Sequence, residues 1–214
     1  MDIELIGLPQ LAIRRIAVSH MDNNVYLLTC NAGDQLLVDA AAEPEQIAGL
    51  LAASPGELRY VLTTHSHRDH IGALAGVAAA HPEAEIMAGA ADAAAITAAT
   101  GVPIARRLED GDVVALGGLE LAVIGLRGHT PGSIALAHTE TGAAPQLFTG
   151  DSLFPGGVGN TQKDPRRFAS LLADVVARVF DAYPDEAVVR PGHGRATTLG
   201  TERPHLAEWQ ARGW

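Results

Sequence analysis

The chain has 214 residues, of which 47% are hydrophobic and 19% are charged, and its formal net charge is -10. This composition excludes an intrinsically disordered chain and predicts a single globular domain over residues 1–214 with a substantial core. The acidic balance argues against nucleic acid as a partner, and the apolar runs fall short of the ~18 residues that span a bilayer. We therefore expect a cytoplasmic protein without a nucleic-acid or membrane partner.

The first third of the sequence predicts β-strands separated by polar turns. Three runs are apolar and β-branched, and the segments between them are rich in Asn, Asp and Gly, as in hairpins. These strands are expected at 12–19, 25–30 and 35–39. Helical spacing of apolar residues then predicts a helix over 43–53, in which Pro44 suits the first turn. A buried strand at 59–64 follows it.

The remaining two thirds of the sequence predict helices and strands in alternation. Helical spacing predicts further helices at 70–80, 90–99 and 165–180. Short apolar runs predict further strands at 85–88, 112–116, 119–126, 133–139, 146–149 and 187–190. This order favours an α/β (α+β) fold, in which two sheets carry helices on their outer faces.

The segment 63–70, with the sequence Thr-Thr-His-Ser-His-Arg-Asp-His, concentrates side chains that can bind metals. In an extended loop His65 and His67 project to the same side, because side chains alternate with a period of two, so both can reach one ion. Asp69 and His70 lie further along and can reach a second ion beside the first. Imidazole and carboxylate groups suit zinc, and also iron or manganese. A helix cap, the simplest alternative role, would need only one such residue.

Three further metal-capable residues follow predicted strands and stand beside glycines. They are His129, after Gly128; Asp151, after Gly150; and His193, between Gly192 and Gly194. Glycine at these positions lets the backbone turn sharply and approach a common centre closely. Together with the four residues of the first segment, these three supply seven ligands for two ions.

In this order the seven residues resemble the motif pattern of the metallo-β-lactamase superfamily, and most closely that of its glyoxalase II branch. The resemblance extends over nearly the whole chain. It implies a four-layer αβ/βα sandwich with a dinuclear metal site at the edge of its two sheets. Carried over residue by residue, it assigns His65, His67 and His129 to one ion, Asp69, His70 and His193 to the other, and Asp151 to a bridge between them.

The resemblance also implies the chemistry of the site. Two divalent ions, zinc in the first place and otherwise iron or manganese, would form a metal-bound hydroxide that attacks a thioester or ester carbonyl. Asp69 would accept the proton of the water, and no serine or cysteine nucleophile would be needed. True β-lactamases usually have cysteine or serine in place of Asp151, which disfavours antibiotic hydrolysis. The expected activity is that of a thioesterase similar to glyoxalase II (hydroxyacylglutathione hydrolase).

Four other interpretations fit parts of the pattern. A persulfide dioxygenase resembles it but uses only the positions of His65, His129 and Asp151 around a single iron. A lactonase would use the same dinuclear site, and a sensor or scaffold would hold metals without catalysis. The string G-D-S-L at 150–153 matches a serine esterase family with Ser152 as nucleophile. Those enzymes carry the string near the amino terminus together with a late D-x-x-H, a motif that this sequence lacks.

The loop after Asp151 is expected to form one wall of the substrate pocket, with Phe154, Asn160 and Lys163 as substrate-binding residues. Family members that act on glutathione thioesters usually have a basic residue in place of Asn160, and often a tyrosine in place of Gly194. These differences argue for the acyl ester of another low-molecular-weight thiol.

Overall fold

The computed structural model describes residues 2–213, and the first half of the chain forms a mixed sheet. Its strands are β1 (Glu4–Gly7), β2 (Leu11–Val18), β3 (Asn23–Cys30), β4 (Asp34–Val38), β5 (Glu57–Thr63), β6 (Glu85–Gly89) and β7 (Arg106–Leu108). They lie side by side in chain order. The pairs from β1 to β4 are antiparallel, as the predicted hairpins require, and those from β4 to β7 are parallel.

The second half of the chain forms another sheet. Its strands are β8 (Val113–Leu116), β9 (Leu119–Gly125), β10 (Ile134–His138), β11 (Gln146–Gly150), β14 (Val188–Pro191) and β15 (Thr197–Thr198). The order across this sheet is β15-β14-β11-β10-β9-β8. Two short strands, β12 (Leu153–Phe154) and β13 (Gly157–Val158), form a sheet of their own. Because β11 and β14 are parallel neighbours, their carboxyl ends reach the same edge of the sheet.

Helices connect the strands and cover the outer faces of both sheets. They are α1 (Pro44–Ala52), α2 (Arg68–Ile71), α3 (Leu74–Ala80), α4 (Ala93–Thr100), α5 (Pro165–Val175), α6 (Leu199–Glu202) and α7 (Leu206–Arg212). A π-helical turn, Val176–Phe180, continues α5, and a 3-10 turn, Arg203–His205, separates α6 from α7. Over residues 2–213, none of the helices combines the length and the apolar character that crossing a membrane requires.

The core is divided into layers because successive residues of a strand face opposite sides of a sheet. Leu27 of β3 faces outward and packs with residues of α1, α3 and α4, whereas its neighbour Leu28 faces the second sheet. On the other side of the molecule, Phe168 and Leu171 of α5 pack against the outer face of the second sheet. The layers therefore run helix, sheet, sheet, helix, which confirms the predicted αβ/βα sandwich.

The helix predicted over 70–80 is instead two helices, α2 and α3, that meet around Gly72. At this point the backbone turns towards the end of β4: the N–H of Ala73 donates to the carbonyl oxygen of Ala40. A Cβ on Gly72 would lie 2.7 Å from the carbonyl oxygen of Ala41. The helical pattern in the sequence was correct, but a tertiary hydrogen bond and a close backbone approach interrupt it.

Candidate metal centre

The seven predicted ligands meet at one edge of the sandwich, where strands of both sheets end. His65 follows β5, Asp151 follows β11 and His193 follows β14, while His129 lies between β9 and β10. Close packing at this edge depends on glycine, as predicted. A Cβ on Gly192 would lie only 2.3 Å from Oδ1 of Asp151.

Three groups of three donors lie within this cluster, and one of them, His65, His70 and Asp151, shares a histidine with each of the other two. The donor atoms of His65, His67 and His129 lie within 4.8 Å of one another. So do those of the second group, Asp69, His70 and His193. These are the two sets that the sequence resemblance assigns to separate ions.

The carboxylate of Asp151 lies between the two groups. Its Oδ1 is 3.3 Å from Nε2 of His70 and its Oδ2 is 3.5 Å from Nε2 of His193, both in the second group. The same Oδ2 is 3.6 Å from Nε2 of His129, in the first group. A carboxylate in this position can contribute one oxygen to each of two neighbouring cations.

Backbone carbonyl groups orient two of the imidazoles. Nδ1 of His129 lies 2.8 Å from the carbonyl oxygen of Asn160, and Nδ1 of His193 lies 2.8 Å from that of Met21. Because a carbonyl oxygen can only accept, each Nδ1 donates and therefore carries the proton. In the neutral imidazole, each Nε2 then has a lone pair directed into the cluster, which is the usual arrangement of a histidine that binds a metal.

Asp39, which sequence reasoning missed, orients the other two buried imidazoles. Its carboxylate lies 2.8 Å from Nδ1 of His70 and accepts hydrogen bonds from the backbone N–H and the hydroxyl of Thr64, at 2.7 and 2.8 Å. Since the hydroxyl proton of Thr64 goes to Asp39, its oxygen accepts from Nδ1 of His65, 3.1 Å away. Asp39 has a left-handed backbone, with φ of 59°, and is only 2% exposed.

Asp92 is a second buried carboxylate that the sequence did not reveal. Its side chain accepts the backbone N–H of Ser66, in the first ligand loop, and that of Gly132, in the loop that carries His129; both distances are 2.8 Å. It therefore fixes two ligand loops relative to each other. One sequence signal applies to Asp39: like Asp151, it directly follows an apolar strand.

Strand β3 of the first sheet holds the loop of His193, which comes from the second sheet. The side-chain amide of Asn24 donates to the carbonyl oxygens of Pro191 and Gly194, and its backbone N–H donates to that of Gly192. The hydroxyl of Tyr26 also donates to Pro191, at 2.8 Å. The last ligand is thus held by the opposite sheet as well as by its own.

Burial and neighbouring charges set the protonation of the cluster. Burial lowers the pKa of His65 well below its usual value, and burial also lowers the pKa of His129. Burial alone would lower the pKa of His70 as well, but Asp39 and Asp151 raise it to about 10. Burial raises the pKa of Asp151, but its close contacts with the imidazoles of His193 and His70 outweigh burial and hold this pKa well below the usual range. A cation that binds at His70 must therefore displace a proton.

The donors fit divalent metal ions. Nε2 of His65, Nε2 of His129 and Oδ1 of Asp151 are buried and have no hydrogen-bond partner among residues 2–213. A buried polar atom without a partner costs about 1–3 kcal/mol, so three such atoms at one point fit a site that binds a cation. Nitrogen lone pairs and an ionised carboxylate are the donor set of a zinc, iron or manganese site.

The three predicted substrate-binding residues line one cavity beside the cluster. Phe154, Asn160 and Lys163 contribute to its wall, and its volume is about 460 Å3. The ring of Phe154 lies 6.4 Å from that of His193. The backbone of Asn160 has the additional role, described above, of orienting His129.

Glu202, also missed by sequence reasoning, anchors this cavity wall. It is 3% exposed and accepts the backbone N–H of Gly156 at 2.8 Å and the hydroxyl of Thr197 at 2.7 Å. Arg212 of α7 donates to the carbonyl oxygen of the same Gly156. The end of the chain therefore holds the loop that the sequence predicts to contact substrate.

Glu202→Ala is expected to reduce the free energy of unfolding by about 2 kcal/mol, because it removes a buried carboxylate that accepts hydrogen bonds from Gly156 and Thr197. For a chain of this size, such a loss lowers Tm by roughly 4 to 8 °C. Glu202→Gln is the matched control, since its amide oxygen can still accept from Gly156 while its N–H donates to Thr197. Thermal unfolding followed by circular dichroism compares them, and an equal Tm for Glu202→Ala and the parent protein would contradict the anchoring role.

Comparison with known proteins agrees with the geometry. The family model described as the metallo-beta-lactamase superfamily matches residues 4–193. The hydroxyacylglutathione hydrolase of Anaeromyxobacter dehalogenans is 38% identical over 199 residues, which cover 89% of this chain and 72% of that protein. The hydroxyacylglutathione hydrolase GloC of Haemophilus influenzae is 27% identical over 206 residues, which cover 89% of this chain and 94% of that protein.

A solved structure, that of TTHA1623 in a di-iron-bound form, has a TM-score of 0.71 and 32% sequence identity. The match covers 88% of this chain and 96% of that one. The fold, the family-model match and the relatives agree with the resemblance drawn from the ligand motifs. The chain belongs to the metallo-β-lactamase superfamily, in which it is a metallohydrolase similar to the hydroxyacylglutathione hydrolases.

Proposed function

We propose that the protein hydrolyses the acyl thioester of a low-molecular-weight thiol, using two divalent cations. The observation that carries this proposal is the position of the Asp151 carboxylate, within 3.3 to 3.6 Å of imidazoles from both donor groups. Relatives named hydroxyacylglutathione hydrolase support a thioester as the class of substrate.

The two donor groups correspond to two proposed cation sites. We assign His65, His67 and His129 to the first cation, Asp69, His70 and His193 to the second, and Asp151 to both. The donors suit zinc, and also iron or manganese. The similar structure of TTHA1623 contains two irons, which supports a site for two metals and keeps iron in consideration.

The protein's own residues then have distinct roles in hydrolysis. Divalent cations held by these residues would lower the pKa of a bound water to near 7 and would polarise the carbonyl oxygen under attack. We assign Asp69 to accept the proton of this water. Its carboxylate is 27% exposed, and one oxygen accepts a hydrogen bond from Asn23 while lying 3.2 Å from Nε2 of His193. Phe154 provides an apolar wall that limits the access of other water to the reacting carbonyl.

Substrate screening with metal analysis tests the proposal. The protein as purified would be assayed against S-lactoyl thioesters of several thiols, against acyl lactones and against phosphodiesters. We expect thioester hydrolysis together with about two metal ions per chain. Faster turnover of lactones would assign the site to a lactonase. One iron per chain with oxygen uptake on a persulfide would assign it to a dioxygenase, and two metals without any turnover would favour a sensor or scaffold.

Ser152→Ala is expected to retain at least half of the parent kcat/KM. The hydroxyl of Ser152 is buried and has no hydrogen-bond partner within residues 2–213, so no histidine is in place to activate it as a nucleophile. Steady-state kinetics on the best thioester of the screen checks this. A thousandfold loss with both metals retained would restore the serine esterase interpretation of the G-D-S-L string.

From the composition we also propose the domain organisation, the cellular location and the partners of the protein. The chain would act as a single domain over residues 1–214, in the cytoplasm, without a nucleic-acid or membrane partner. The net charge of -10 supports the exclusion of nucleic acid.

A further inference from the structure

An arginine-lined cavity opens beside the first donor group. Its walls include His67 and His129 together with Arg127, Arg166 and Arg167, and its volume is about 560 Å3. A substrate whose carbonyl lies at the proposed cations can extend directly into this space, because the two histidines belong to both. We call it the arginine cavity.

The charge of Arg127 is balanced within the protein. Its guanidinium contacts both carboxylate oxygens of Asp174, at 2.9 Å each. Arg178 also approaches this carboxylate, at 3.7 Å. Asp174 is therefore shared by two arginines, and Arg127 has little capacity left for a ligand.

Arg167 is held by neutral groups. Its guanidinium donates to the carbonyl oxygens of Gly128 and His129 and to the side-chain oxygen of Gln162. These bonds fix the side chain next to the candidate ligand His129 without neutralising its charge. Arg167 thus places a positive charge at the cavity wall.

Arg166 is the cation with free donors. It is exposed, and its side chain makes no hydrogen bond or ion pair with any residue from 2 to 213. Asp164, two residues earlier in the chain, accepts the backbone N–H groups of Arg166 and Arg167 as the cap of α5. Around the cavity, Asp164 and Asp174 face the three arginines of its wall, while Arg178 outside the wall also pairs with Asp110 at 3.3 Å. A local positive excess therefore exists in a chain whose net charge is -10.

We propose that the arginine cavity binds a carboxylate or phosphate group of the substrate, with Arg166 as the direct contact. A guanidinium recognises such groups through two parallel hydrogen bonds, and the fixed charge of Arg167 adds to the attraction. The inference rests on the proposed thioesterase function and narrows it: the preferred thioester is an anion, whose charge lies on either the thiol or the acyl part.

Two matched pairs of probes test this and locate the charge. S-lactoyl-3-mercaptopropionate and its amide differ by a charge on the thiol part, whereas S-succinyl-2-mercaptoethanol and its succinamoyl analogue differ by a charge on the acyl part. We expect the parent protein to prefer the anionic member of at least one pair. Arg166→Gln is expected to reduce that ratio of kcat/KM values about fivefold, the size of one charged contact at an exposed site.

Arg107→Gln is the matched control, because it removes the same charge from an exposed position on β7 away from the cavity. It is expected to leave the ratio at the parent value. An unchanged ratio in Arg166→Gln for both pairs overturns the proposal, and so does an equal fall in both variants.

Calorimetry separates this inference from the proposed function. Succinate would be titrated into the protein as purified, with its metals, and into both variants. If no thioester is hydrolysed, the proposed function fails, yet about fivefold weaker succinate binding in Arg166→Gln alone still supports the anion site. Equal succinate affinity in all three proteins overturns the anion site, whatever the activity.

Discussion

Asp151→Ala is expected to lower kcat/KM for thioester hydrolysis by more than about a hundredfold. Loss of a residue that only orients a metal ligand can already lower activity by up to about a hundredfold. The reason for the larger effect is the position of Asp151: its two oxygens lie within 3.6 Å of imidazoles of both donor groups. The same change is expected to reduce bound metal to below two ions per chain. Steady-state kinetics and inductively coupled plasma mass spectrometry measure the two effects.

Two variants serve as controls for this prediction. Ser152→Ala alters the adjacent buried side chain without removing a candidate metal ligand, so it controls for changes in local packing. Asp151→Asn keeps the size of the side chain and removes its charge, so it separates charge from shape. If Asp151→Ala bound two metals and turned over normally, Asp151 could not bridge the cations.

Asp39→Ala is expected to produce the second large effect, on stability as well as on metal binding. It removes a buried carboxylate from His70 and Thr64, and the loss of one partner of a buried charged pair costs about 3–5 kcal/mol. Metal affinity is expected to fall about 10- to 100-fold, because His70 and His65 lose the groups that orient them. Chemical denaturation and competition with a chelator measure these losses.

Asp39→Asn is the informative control. Asparagine tolerates the left-handed backbone of this position, where φ is 59°, far better than alanine does. It retains an acceptor for the N–H of Thr64 but no longer presents a carboxylate to His70. A stability near that of the parent combined with weakened metal binding would assign the effect to the charge. Parent-like metal affinity in Asp39→Ala would contradict the orienting role.

The fold was predictable because its hydrophobic periods are strong. Apolar, β-branched runs predicted β2 to β4, and helical spacing predicted α1 and α5, to within a few residues. The short strands β1, β7, β12, β13 and β15 were not predicted, since two to four residues carry too little periodicity. The helices α6 and α7 were also missed, because only tertiary packing of the buried Trp209 against Phe180 identifies their apolar side.

The candidate site was predictable where its residues are close in sequence or follow a strand beside a glycine. The run at 65–70 and the later residues His129, Asp151 and His193 met one of these conditions. Asp39, Asp92 and Glu202 could not be identified in this way. Their partners are the backbone N–H groups and ring nitrogens of distant segments, which become neighbours only after the sheets have formed.

The attachment of the His193 loop to strand β3 has a consequence for folding. His70 and His193 are 123 residues apart, and the bond from Asn24 to Pro191 joins residues 167 positions apart. Contacts of such long range require most of the chain to be ordered, so the second donor group forms late. Residues 65–70 alone can bind a cation in the unfolded chain. Such binding reduces the amount by which the metal stabilises the native state. Metal added during refolding can therefore bind while only part of the site has formed. The refolding rate is expected to differ between metal added before dilution of the denaturant and metal added after it.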